Sequence, residues 1–249
     1  MPEYKLASYD FSGRKVIVTG GSGGIGGAFA RGFRDAGADV TITGTRSSAA
    51  DYPGEDLTRM RYLQLDTRDG PAILKLASEF DSLDVLINCA GNARPGGKSE
   101  ADPEIFAQTV DINLVGSYRF CQAFRDALSA AGGSIINVAS MSAYASLPGV
   151  PGYGASKAGI VQLTMALAES YAPRGIRVNG IAPGWIRSKM TKPVEADDQG
   201  SAAILRHTPM GRWGDPDDMA GPALFLASDA AGFVTGVTLP VDGGYNAVM

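Results

Sequence analysis

Arg14-Lys15-Val16-Ile17-Val18-Thr19-Gly20-Gly21-Ser22-Gly23-Gly24-Ile25-Gly26 is the stretch that decides the fold. Its first six residues are rich in β-branched side chains and predict a strand. The glycines then allow positive φ and let the backbone approach a phosphate closely. A helical pattern over 27–36 and a second β-branched run over 40–43 complete a strand, glycine loop, helix, strand unit. In that context a glycine loop reads as a dinucleotide-binding turn, with the pyrophosphate on the helix N-terminus. The same residues also spell G-x-S-x-G, a nucleophile elbow with Ser22 as nucleophile. Against the elbow stand the single histidine of the chain, His207, and the position of the loop after the first strand, before a sheet exists to carry it.

Working outward, strands and helices alternate along all 249 residues without a linker or low-complexity tract. Strands are predicted near 61–65, 83–88, 134–139, 176–181 and 237–241. Helices are predicted over 71–80, from about 103, over 111–130, 153–171 and 216–228. Short apolar strands alternating with helices predict one α/β domain, a parallel sheet covered on both faces. Ligands of such sheets bind beyond the carboxyl ends of the strands. Asp66, Asn88 to Gly91 and Ser140 all fall there. The chain is 45% hydrophobic with a net charge of −4, so it offers no basic surface for nucleic acid or an anionic membrane. No apolar run approaches the ~20 residues of a membrane span, and residues 1–13 lack the order of a signal peptide. Cys89 and Cys121 read as buried free thiols, which suits a reducing, cytoplasmic setting. One histidine and two scattered cysteines make no metal site.

Tyr153-Gly154-Ala155-Ser156-Lys157 puts a phenol and an ammonium four residues apart, on one face of a helix. A free tyrosine has a pKa of about 10. A lysine charge about 4 Å away favours the phenolate by roughly 4 kcal/mol at an effective dielectric near 20. That is about three pKa units at about 1.36 kcal/mol each, enough for acid–base work near neutrality.

Together these features resemble the short-chain dehydrogenase/reductase family over nearly the whole chain, in particular its 3-oxoacyl-carrier-protein reductase and sugar or polyol dehydrogenase members. Thr19 to Gly26 resembles the family's T-G-x-x-x-G-x-G loop. Asn88-Cys89-Ala90-Gly91 resembles N-N-A-G with cysteine second. Asn113 stands at the family's helix asparagine, and Ser140 lies thirteen residues before Tyr153, as the family's serine does. Pro183-Gly184 followed by Ser188 resembles P-G-x-x-x-T, and Val241-Asp242-Gly243-Gly244 resembles V-D-G-G.

The resemblance implies a single Rossmann-type, doubly wound domain over 1–249, with residues 185–212 covering the substrate. It implies hydride transfer between a nicotinamide cofactor and a ketone or secondary alcohol. Tyr153 would exchange the proton and Ser140 would polarise the carbonyl. Lys157 would lower the tyrosine pKa and hold the nicotinamide ribose, and Asn113 would hold a water linking Lys157 to solvent. The implied cofactor contacts are Gly20, Ser22, Gly23, Gly24, Ile25, Gly26, Thr45, Arg46, Asp66, Asn88, Ala90, Gly91, Tyr153, Lys157, Pro183, Gly184, Ile186 and Ser188. It also implies a homotetramer, with Ile160, Leu163, Leu167, Val115, Phe120 and Phe124 as candidate helix contacts.

Cofactor choice is read at the end of the second strand. An NAD site carries an acidic residue there for the ribose 2′-OH. Here that position is Gly44, followed by Thr45 and Arg46, which predicts NADP(H) over NAD(H). Substrate walls are expected from 92–98, 141–152 and 185–212. A nucleotide-binding regulator without catalysis, or a lyase or epimerase using the same Tyr153 and Lys157, are the other readings of this residue set.

Overall fold

The computed structural model describes residues 9–94 and 97–248. Expectations placed on residues 1–8, on Pro95 and Gly96 in the 92–98 wall, and on Met249 fall outside the described residues. The strands are β1 Lys15–Thr19, β2 Asp39–Gly44, β3 Met60–Gln64, β4 Val85–Asn88, β5 Ser134–Val138, β6 Arg177–Pro183 and β7 Thr238–Val241. They form one sheet in the order β3-β2-β1-β4-β5-β6-β7, and every pairing is parallel. The chain reverses its direction of travel between β1 and β4, so a crevice opens beyond the carboxyl ends of those two strands.

Both faces of the sheet are buried, which is why its central strands are mostly apolar instead of alternating. Helix α1 (Gly24–Asp35) lays Phe29, Ala30 and Phe33 on Val16, Val18, Val40 and Ile42. Helix α9 (Ala220–Ala227) adds Ala223 and Leu226 to that face. The intervening residues Ile17, Leu86, Ile135 and Val178 point the other way. They meet α2 (Gly70–Ala77), α4 (Gly116–Ala123), α5 (Arg125–Ala131) and α6 (Pro151–Tyr171). The doubly wound α/β class is as the sequence predicts.

Three details depart from it. The helix expected over 111–130 is broken in two places. A π-helical turn, Asp111–Val115, links α3 (Pro103–Val110) to α4, and Phe124 divides α4 from α5. Gly116, at the end of that turn, packs so closely on Thr67 that a Cβ there would lie 2.7 Å from the Thr67 Cβ. The covering segment 185–212 carries two short helices, α7 (Lys192–Glu195) and α8 (Asp198–Arg206), that no periodicity announced. Finally, Ile160, Leu167, Phe120 and Phe124 are buried inside this chain's own core. The exposed large apolar residues of these helices are Tyr118 on α4 and Met165 on α6, with Phe106 on the neighbouring α3. Among the described residues no helix is long and apolar enough to cross a membrane, and no group of His, Cys, Asp and Glu could hold a metal ion.

Candidate active site

A cavity of about 520 Å³ occupies the crevice. Its floor is the glycine loop. Thr19, the last residue of β1, accepts hydrogen bonds through Oγ1 from the backbone of Cys89 (3.0 Å) and Ala90 (3.1 Å), tying this loop to the end of β4. Gly20 has φ +66°, and a Cβ on it would stand 2.8 Å from the Ala90 Cα. Only glycine serves at that close crossing. Gly23 caps α1 without a side-chain hydrogen bond, no acidic side chain occupies the first turn, and the Glu55 carboxylate lies against Gly23 on the cavity wall. Gly20, Ser22, Gly23, Gly24, Ile25, Gly26, Ala90, Gly91, Pro183, Gly184, Ile186 and Ser188 all line the cavity.

Ser140, Tyr153 and Lys157 line the same cavity on its β5 side. Ser140 follows β5 and its Oγ accepts from the Ser142 N–H at 3.1 Å. Tyr153 and Lys157 project from the first turns of α6, and the Lys157 Nζ lies 5.6 Å from the Tyr153 ring centre. Burial raises the Tyr153 phenol above its ordinary 10, and the Ser140 hydroxyl works against that. Burial pulls Lys157 down from 10.5 to about 8. Its ammonium donates to the Val138 carbonyl at 2.6 Å. The phenol is thus raised here, opposite in direction to the lowering expected from Lys157, because desolvation is the largest influence on it.

Asn113 sits in the π turn, fully buried. Its Oδ1 accepts from the Asn92 N–H (2.8 Å), and its Nδ2 donates to the Asn92 carbonyl (2.9 Å) and Ser156 Oγ (3.0 Å). These bonds fix the loop after β4 and the helix that carries Tyr153 and Lys157. A Cβ on Gly91 would lie 3.3 Å from Asn113 Oδ1 and 3.4 Å from Lys157 Nζ, so that glycine brings the two side chains close.

Four expected cofactor contacts do not line the cavity. Asn88 points into the sheet, where its Nδ2 donates to Asn137 Oδ1 at 2.9 Å. Asp66 pairs with Arg68 at 2.6 Å outside the cavity. The Thr45 carbonyl accepts from Gln64. The Arg46 guanidinium stacks 4.9 Å from the Tyr52 ring centre and donates to the Asp51 carbonyl. Nor does the elbow reading survive. His207 Nδ1 bonds the Ala203 carbonyl at the end of α8, and His207 does not line the cavity that Ser22 lines.

Sequence reading missed Glu100. It is only 2% exposed, and it collects three elements. Oε1 accepts from Arg94 N (3.0 Å) and Thr109 Oγ1 (3.1 Å), and Oε2 accepts from the backbone N–H of Tyr153 (3.0 Å). The only available signal was an acid in the loop before α3, which a polar surface explains as well. Its carboxylate occupies the N-terminal turn of α6, where a negative charge is favoured. Glu100→Gln replaces one acceptor oxygen with a donor that faces another donor. We expect kcat to fall about tenfold, equivalent to about 1.4 kcal/mol, with cofactor Kd within about twofold. An unchanged kcat would remove Glu100 from the machinery that positions Tyr153.

Comparison with known proteins gives a consistent picture. Residues 20–246 match a family model of short-chain alcohol dehydrogenases described as enoyl-(acyl carrier protein) reductase. A 2-dehydro-3-deoxy-D-gluconate 5-dehydrogenase from Pseudoalteromonas atlantica is 37% identical, over 96% of this chain and 98% of its own. A 3-oxoacyl-[acyl-carrier-protein] reductase from Chlamydia pneumoniae is also 37% identical, over 93% and 96%. Among solved structures, a putative 2-deoxy-D-gluconate 3-dehydrogenase from Agrobacterium tumefaciens with bound NADP superposes with a TM-score of 0.83 at 37% identity, covering 96% of this chain and 99% of that one.

Proposed function

The chain belongs to the short-chain dehydrogenase/reductase family and is an NAD(P)-dependent oxidoreductase of ketones and secondary alcohols; on that premise we propose that Tyr153 is its general acid–base and that NADP(H) is its preferred cofactor. One observation carries the first part: Ser140, Tyr153 and Lys157 share a cavity with the glycine loop. The Cβ-free crossing at Gly20 and the α1 N-terminus, which Gly23 caps without a side-chain hydrogen bond, suit a pyrophosphate. A bound nicotinamide supplies or accepts the hydride.

The rest of the chemistry belongs to this chain's residues. In the reductive direction the Tyr153 hydroxyl gives its proton to the substrate oxygen, and in the oxidative direction it takes one. The Ser140 hydroxyl, which already interacts with the phenol, orients that oxygen. Lys157 brings a positive charge to the nicotinamide end of the cavity. Asn113 and Glu100 hold the two loops and the helix that set this geometry. The 1–249 chain acts as one nucleotide-binding domain, with 185–212 lying over the substrate.

For the substrate we infer a small polar ketone or polyol of the sugar-acid kind named for the 37% identical dehydrogenase. Lys189 lines the cavity and gives it a polar donor. NADP(H) is supported by Gly44 and by the NADP held in the solved relative. A homotetramer built on α3, α4 and α6 is supported by exposed Phe106, Tyr118 and Met165. The test follows reduced-nicotinamide absorbance over sugar acids, polyols and 3-oxoacyl thioesters, with each cofactor. Turnover with NADP(H) at the higher kcat/KM is expected. Tight nucleotide binding with no turnover on any of them would instead mark a silent regulator. A concentration-independent monomer in sedimentation would end the tetramer proposal.

A further inference from the structure

The corner beyond β2 is closed by residues that come from outside the strand. A single 3-10 turn, Ala49–Asp51, brings Tyr52 back over Gly44. A Cβ at Gly44 would meet the Tyr52 hydroxyl at 2.5 Å and Ser22 Oγ at 2.8 Å. Two hydroxyls therefore stand where a side chain at 44 would project, the place from which an acidic residue reads the ribose 2′-OH in NAD-binding relatives of this fold. An aspartate at 44 would fit only by pushing Tyr52 out.

The Tyr52 hydroxyl is oriented. Its oxygen accepts from the Arg46 backbone N–H at 3.1 Å and lies 3.5 Å from the Tyr62 hydroxyl, whose hydrogen goes to the Arg46 carbonyl at 2.5 Å. The Arg46 N–H is thus the one backbone donor on that oxygen, the Tyr62 hydrogen being spent on the Arg46 carbonyl, and the Ser22 hydroxyl stands on the remaining side. The Tyr52 and Tyr62 rings pack 5.8 Å apart, and the Arg46 guanidinium lies over the Tyr52 ring, so the phenol is held from three sides. A phosphate monoester offers only acceptor oxygens and carries about −1.5 to −2 charge at neutral pH. A donor hydroxyl with a guanidinium beside it complements that group. The carboxylates nearby are accounted for. Asp51 accepts from Ser47 and Ser48, and Glu55, which lies against Gly23, has Arg31 Nη1 3.9 Å away.

We propose that Tyr52 is the specificity-determining residue of the cofactor site, its hydroxyl donating to the 2′-phosphate of NADP(H) beside Ser22. This deepens the NADP(H) reading above and rests on it. Neither the strand motif nor the spacing contains it, since Tyr52 lies eight positions beyond Gly44 and reaches the corner only through the turn.

The test compares the intact wild-type protein with Tyr52→Phe, which keeps the ring under Arg46. Two readouts are taken: kcat/KM for NADPH and NADH, and calorimetric binding of 2′,5′-ADP and of AMP, which removes the chemistry. We expect kcat/KM for NADPH to fall about tenfold and that for NADH to stay within about twofold. The preference for 2′,5′-ADP over AMP should shrink by the same factor. Equal losses with both cofactors, or an unchanged 2′,5′-ADP to AMP ratio, would overturn the proposal. A wild-type preference for NADH would instead refute the NADP(H) reading, while the change in the ratio would still judge Tyr52.

Discussion

Tyr153→Phe is expected to lower kcat by roughly 10²- to 10⁴-fold, the usual worth of a positioned acid–base group, while cofactor Kd stays within about twofold. The substitution removes one oxygen and leaves the ring. That ring packs beside the Lys157 ammonium at 5.6 Å, and phenylalanine keeps the contact. The oxygen itself is what interacts with Ser140. Because burial holds the phenol protonated through neutral pH, it enters the reductive reaction already carrying the proton that the substrate oxygen needs. Single-turnover hydride transfer and equilibrium binding of the reduced cofactor separate the two effects. Retention of a tenth or more of wild-type kcat would exclude Tyr153 as the acid–base.

Lys157→Met is expected to abolish most turnover and weaken cofactor binding, yet to raise stability at neutral pH. The wild-type ammonium is buried and has a pKa of about 8, against an ordinary 10.5. At about 1.36 kcal/mol per unit, holding that charge costs about 3 kcal/mol. The folded pKa lies below the unfolded one, so the cost is full below pH 8. It fades as pH rises from 8 to 10.5, where the folded protein is neutral and the unfolded chain still binds the proton. Losing the bond to the Val138 carbonyl takes back about 1 kcal/mol. The net gain of about 2 kcal/mol should raise Tm by about 4–8 °C at pH 7 and disappear near pH 10. A lower Tm at pH 7, or a gain independent of pH, would refute this reading of the buried lysine. If it holds, the site keeps an uncomfortable charge for function, which is where such groups are expected.

The parts of the fold that the sequence revealed are those made by neighbours in the chain. A β-branched run, a glycine loop and a helix over about 27–36 follow from local preference and are visible at once, the helix itself starting earlier, at Gly24. Tyr153 and Lys157 share a face because one helical turn separates them, and apolar strands buried on both faces need no alternation. The breaks at 111–115 and at Phe124 were not visible. Nothing in Asp-Ile-Asn-Leu-Val opposes an α-helix, and the turn is set by Asn113 reaching Asn92 and by Gly116 meeting Thr67.

The amino-acid sequence by itself determined the parallel α/β class, the glycine loop between β1 and α1, and the placing of Ser140, Tyr153 and Lys157 beside it, because each rests on residues whose spacing is imposed by a strand, a turn or a helix. Tertiary structure alone decided which polar side chains reach that set. Glu100 holds the Tyr153 backbone across 53 positions, and Asn88 turns to Asn137 across 49. Tyr52 reaches the corner beyond β2 only because a 3-10 turn folds it back onto Gly44. A buried polar group must find a partner wherever the packed chain supplies one, and that choice is made in space, where no spacing in the sequence records it.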